Sequence, residues 1–103
     1  MKSIKEIQEN IENMTVQLWQ GKGADIDLIS SSIDALVGEI TTHLEDMNAI
    51  GVSFPMEYVT AASKNMIEAI RKKDDYLLAD NLYYEWREIL LVFEEVMSEI
   101  KSV

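Results

Sequence analysis

Cysteine is absent from this chain, and proline, histidine and glycine are scarce, with one proline, one histidine and four glycines in 103 residues. Without cysteine there is no disulfide framework and no thiolate nucleophile, and nothing asks for an oxidising compartment. A single histidine cannot supply the two Glu-x-x-His motifs of a ferritin-type di-iron bundle within one chain. No apolar run approaches the roughly 20 residues of a membrane span, and the start MKSIKEIQEN lacks the apolar core of a signal peptide. There is no P-loop and no Gly-x-Ser-x-Gly. The stretch GKGADIDLISS puts Gly and Lys before a helix but gives only a fragment of a phosphate cradle. The chain therefore reads as a soluble, cytoplasmic protein that is not an enzyme, with no cofactor, no metal and no small-molecule substrate.

Positive charge is the other shortage. Nine Lys and Arg face nineteen Asp and Glu, a net charge of −10. Both halves are acidic, with three basic and nine acidic residues through Gly51, then six and ten after it. Such a surface repels nucleic acid and anionic lipid, so neither is expected as a partner. The basic run Arg71 to Lys73 reads as a cationic helix end answering its dipole. An apolar content of 48% argues for a folded chain despite the charge. At this length a single domain over 1–103 buries roughly 65% of the surface its unfolded form exposes.

The few Gly and Pro residues cluster in GKG (Gly21 to Gly23) and GVSFP (Gly51 to Pro55), between long stretches of helical periodicity. Ile4, Ile7, Ile11, Met14 and Leu18 form the apolar stripe of a first helix over about 2–20. A second, over about 25–50, starts at Ala24 or Asp25 and carries Ile26, Ile29, Ile33, Leu36, Ile40, Leu44 and Met47, with Gly51 as a left-handed cap. Ser53 is the expected N-cap, and Pro55 a first-turn residue, of a third helix over about 54–72 with Val59, Ala62, Met66 and Ile70. Asp74 or Asp75 caps a fourth over about 75–101, striped by Leu78, Leu82, Trp86, Ile89, Phe93, Val96 and Ile100. No strand-like alternation competes. The expected fold is all-α, an antiparallel up-down-up-down four-helix bundle whose helices 2 and 4 are longer than the others.

The fourth helix holds more apolar surface than one core requires. Tyr76, Tyr83, Leu90 and Met97 recur every seven residues beside the core stripe, with Tyr84 adjacent. Two readings are open. Either this helix is buried centrally, with tyrosines at the rim wetting their hydroxyls, or Tyr76, Tyr83, Tyr84, Leu90 and Met97 receive a partner helix. On helix 2, Ser31, Ala35, Gly38 and Thr42 make a ridge of small residues roughly 200° from the large apolar stripe, where close packing within the bundle or between two copies would justify Gly38. The expected partner is another protein or a second copy of the chain in a homodimer.

Chemistry-bearing residues are sparse. His43 lies on the core-facing side of helix 2, with Glu39 and Asp46 in reach. That is the pattern of a carboxylate-paired histidine at a core edge more than of a metal ligand. Among the acids of the C-terminal third, Asp80 and Glu85 are five apart and on an α-helix point in different directions, whereas Glu85 and Glu88 share a solvent face; no EF-hand spacing is present.

The segment KKDDYLLADNLYYE, residues 72–85, resembles one found in small helical-bundle proteins of Gram-positive bacteria, some associated with motility genes. The helix layout is similar in class to flagellar export chaperones. The resemblance implies an acidic four-helix bundle that keeps an aggregation-prone export substrate soluble by binding its helical end. The start MKSIKEIQENIENM departs from that family, lacking its tyrosine-containing N-terminal segment, so no residue-level roles carry over. The function that follows is a non-enzymatic, chaperone- or adaptor-like protein-binding module, and the alternative is a homodimeric structural or regulatory subunit with no separate client.

Overall fold

The computed structural model describes residues 3–23 and 25–102; the expected helix starts at Lys2 and Ala24 lie outside them. The described residues are helical with short connections and contain no strand. In chain order the elements are α1 (Ile4–Trp19), α2 (Ile26–Thr42), α3 (Leu44–Ala49), α4 (Met56–Arg71), α5 (Asp75–Asp80), a π-helical turn (Asn81–Trp86) and α6 (Arg87–Ser102). No helix of the described residues is long and apolar enough to cross a membrane.

Local chemistry sets most of the boundaries. Ser3, Asp25 and Asp74 each accept a hydrogen bond from the backbone N–H three residues on, satisfying a donor that the first helical turn leaves open. Gly51 adopts φ 78°, and the Val52 amide then returns to the Met47 carbonyl at 2.9 Å, the left-handed stop expected there. After α4 that conformation falls to Lys73 (φ 54°), with the Asp74 amide bonded to the Ala69 carbonyl at 3.0 Å. Ser53 does not cap α4: Pro55 occupies the N-cap position, and the helix begins at Met56 with no side-chain cap.

The expected helix 25–50 is interrupted. His43 leaves helical geometry (φ −100°, ψ 7°), and its amide is shared among carbonyls of the preceding turn. Just before it, the hydroxyls of Thr41 and Thr42 donate back to the Val37 and Gly38 carbonyls at 2.8 Å, a back-bonding that bends helices. By contrast, residues 75–102 stay helical from α5 through the π turn into α6. At 1.5 Å per residue this stretch spans about 42 Å, nearly the 44 Å long axis of the molecule.

The core follows the apolar stripes. Ile7, Ile11, Met14 and Leu18 meet Ile29, Ile33, Leu36 and Ile40 from α2, Val59, Ala62 and Met66 from α4, and Leu78, Leu82, Trp86, Ile89 and Phe93 from the C-terminal stretch. α1 packs against α2, α5, the π turn and α6, while α4 packs against α5 and the π turn and α3 touches α6. Three other elements thus lean on residues 75–102, and this central position uses much of the helix's surplus apolar surface. Leu90 is wholly buried. One reading set it beside Tyr83 on a partner-facing stripe, from a seven-residue repeat on a continuous α-helix. The π turn lies between the two, so residues beyond it lag the α-helical phase, and Leu90 turns inward beside Ile89.

Leu90→Ala is accordingly expected to lower unfolding stability by about 2–5 kcal/mol, whereas Tyr84→Ala, at an exposed position, changes it by about 0.5 kcal/mol or less. Urea denaturation followed by circular dichroism measures both, and equal losses would contradict the assigned burial.

Candidate functional site at the π turn

Six residues, Asn81 to Trp86, wind with one more residue per turn than an α-helix. The Arg87 amide reaches the Leu82 carbonyl, five residues back instead of four. Such turns are rare and occur often at functional sites. Asn81, Leu82 and Trp86 face inward, whereas Tyr83 and Tyr84 face out. Two inward groups have no hydrogen-bond partner among the described residues, the Asn81 Oδ1 and the Trp86 Nε1. An orphaned buried polar group costs about 1–3 kcal/mol, which the burial of Trp86 and Leu82 in the core offsets.

On the outer side the turn raises a ridge of aromatic rings. Tyr83 packs at 5.3 Å from Trp19, the last residue of α1, and at 4.9 Å, edge to face, from Tyr84. From α4 the Tyr58 hydroxyl donates to the Tyr84 carbonyl over a long 3.4 Å. All four rings remain exposed, from 36% for Tyr83 to 64% for Tyr84. The Arg87 guanidinium lies 5.2 Å over the Tyr83 ring and 3.9 Å from the Glu12 carboxylate. Between α1 and the turn, Val16, Trp19, Tyr83 and Arg87 border a shallow depression of about 230 Å³.

On the α4 side of the ridge lies a cleft of about 330 Å³. Its wall includes Asp80 and Glu85, which the sequence reading sent in different directions. The lengthened turn is what brings residues five apart onto one face. Glu85 is held from two sides: the Asn65 amide donates to it at 2.7 Å, and the Asn81 amide donates to its other oxygen. The second N–H of Asn81 reaches the Ala62 carbonyl at 3.1 Å, which fastens the turn to α4. Exposed Leu77 and Tyr84 supply the apolar border.

The five expected partner contacts are dispersed. Tyr83 and Tyr84 form the crest of the ridge, and Tyr76 is two-thirds exposed one helical stretch earlier. Leu90 belongs to the core and cannot meet a partner in this fold. Met97 lines a separate groove with Ile4 and Lys5, about 20 Å along the helix from Tyr83 at 1.5 Å per residue. Trp19, Tyr58, Asn65 and Asn81 were not foreseen. Trp19 lies off the α1 core stripe, and an apolar residue that large outside its stripe was the available signal.

Ser31, Gly38 and Thr42 are exposed and Ala35 is half-buried. A Cβ built on Gly38 meets nothing within 4 Å, so close packing within the chain does not account for this glycine. His43 lies 3.2 Å through Nδ1 from Asp46 and 3.6 Å through Nε2 from Glu39, with its ring 6.2 Å from Phe93, the carboxylate-paired arrangement at a core edge. No set of three or more His, Asp or Glu side chains among the described residues is arranged to hold a metal ion. No family model matches the chain, and neither a curated protein nor a solved structure matches it.

Gly38→Ala adds a methyl to an open helical face and is expected to stabilise the chain by about 0.5–1 kcal/mol, read from urea denaturation. A loss of stability together with a drop in solution mass by light scattering would instead place the small-residue ridge in a contact between two copies.

Proposed function

We propose that this protein is a non-enzymatic, cytoplasmic protein-binding module of the adaptor or export-chaperone kind, an antiparallel four-helix bundle that holds a partner helix against its π turn. The observation that carries this reading is the contiguous exposed ridge of Trp19, Tyr83, Tyr84 and Tyr58. Large rigid aromatic rings bury much area at little conformational cost, and such residues concentrate at the centres of interfaces. Exposing them together on a monomer leaves apolar surface in water that a partner would cover.

The charge of the chain specifies the occupant. With a net of −10, and with Glu12, Asp80 and Glu85 flanking the ridge, the complementary partner is an amphipathic helix whose apolar face is bordered by Lys or Arg. Tyr76, exposed just before the cleft, and Leu77, exposed on its border, extend the same surface toward the start of α5. Homodimerisation is the second reading. It is favoured by the open, exposed position of Gly38 among small neighbours on α2, and it uses a different helix.

A photo-crosslinking residue at position 84 identifies the partner in the native host, and one at Asp34, exposed on α2, serves as the control. Against the purified partner, Trp19→Ala and Tyr84→Ala are each expected to weaken binding about 30-fold, the effect of an interface hot spot, while the helical circular-dichroism spectrum is kept. Full affinity in the double variant, or equal capture from positions 84 and 34, would overturn the proposal.

A further inference from the structure

The last turns of α6 carry a face that the bundle leaves open. Glu94, Met97, Ser98 and Lys101 are three and four residues apart and so share one side of that helix. Beside them α1 begins, and Ile4 and Lys5 supply the other wall of a groove of about 360 Å³ whose apolar lining is Ile4, Phe93 and Met97. The rim of this groove holds both signs of charge. Lys5 and Lys101 are two of only nine cations in the chain, and among the described residues neither they nor Glu94 forms an ion pair.

We infer that this groove is a self-association surface, covered by the same face of a second copy of the chain. The order of charges along α6 carries the argument. A two-fold axis passing between Met97 and Ser98 sets the two α6 helices antiparallel, with Glu94 and Lys101 equally far from it on either side, about 5 Å along the helix at 1.5 Å per residue. Glu94 of each copy then lies opposite Lys101 of the other, which is the reciprocity that a two-fold interface demands. Met97 meets Ser98 across the axis, a large side chain against a small one. On the α1 wall Lys5 adds a cation against an incoming helix that also carries Glu95 and Glu99. Each copy has a net charge of −10, so most other ways of pairing two copies oppose acid to acid, and charge selects this register as much as the apolar lining does. The face shares no residue with the aromatic ridge at the π turn or with the small-residue ridge of α2, and it depends on neither.

Sedimentation equilibrium of the full chain between about 10 μM and 1 mM, the range in which a small interface associates, is expected to show a monomer–dimer equilibrium. Glu94→Lys and Lys101→Glu change the net charge in opposite directions, yet each is expected to weaken the dimer about tenfold, because each sets like charges across the axis. The double variant with both reversals restores the opposition of charges and with it the affinity. Within one chain the two positions are about 10 Å apart along the helix, so the rescue requires a second copy. Ser98→Cys, the sole thiol in a chain without cysteine, is expected to link two copies when an oxidant is added, whereas Lys64→Cys, exposed on α4, is not. Circular dichroism checks that each variant keeps its helical spectrum. A monomer at 1 mM, a dimer unchanged by the single reversals or shifted by them in opposite directions, a double reversal that fails to restore it, or equal linkage from positions 98 and 64 would each overturn the inference.

Discussion

An α-helix that accepts one extra residue in a turn must give up the regular spacing of its side chains, and the surface of this protein depends on that displacement. Between Asn81 and Trp86 the hydrogen bond closes on the fifth residue back, so the side chains of one turn are dealt to three neighbours. Leu82 and Trp86 enter the core. Tyr83 leans on Trp19 at the end of α1, and Asn81 reaches the Ala62 carbonyl on α4. A continuous α-helix holds residues three and four apart on one face and sends those five apart elsewhere. The same insertion therefore creates both the aromatic ridge and the acidic cleft beside it.

The turn is held from outside more than by its own geometry. Tyr58 and Asn65 reach it from α4, Trp19 from α1, and Arg87 covers Tyr83 while facing Glu12. Several of these contacts are long or solvent-exposed, and exposed ion pairs contribute at most about 1 kcal/mol each. Burial of Trp86 and Phe93 supplies the stronger restraint, since large aromatic side chains dominate core energetics. The turn is thus anchored on its inner face and more weakly braced on its outer one.

Much of the fold was legible in the sequence because it rests on local rules. Alternating spacings of three and four placed the helices, Asp25 and Asp74 marked two starts, and Gly51 marked a stop by the positive φ that it alone takes without strain. The interruption at His43 was not legible. Thr and His are ordinary helix residues, and what bends the chain is a pair of hydroxyl back-bonds that composition does not announce. Ser53 misled because an N-cap is set by backbone geometry, and Pro55, which fixes its own φ, took the position. At the site, Tyr83 and Tyr84 were found by counting apolar residues beyond the needs of the core. Leu90, assigned by the same count, was lost because a repeat of seven keeps its meaning only while the helix stays α. Asp80 and Glu85 were separated on paper for that same reason and share a wall in space.

The two buried orphans of the turn have different origins. The Trp86 indole N–H is enclosed in a side chain with no exposed surface, so its lost hydrogen bond is offset by the area the ring buries, and nothing outside the fold can reach it. The Asn81 oxygen is enclosed as well, although Asn81 is among the residues that line an open cleft. If the turn existed only to fill the core, an apolar residue at position 81 would avoid the unpaired oxygen, and Ala62 would lose one bond to its carbonyl. Asn81 instead ties the turn to α4, fixes Glu85 and leaves one acceptor unspent. The two ties explain the residue: one N–H holds the Ala62 carbonyl and the other the Glu85 carboxylate, and an amide that commits both donors this way keeps an oxygen that the fold encloses.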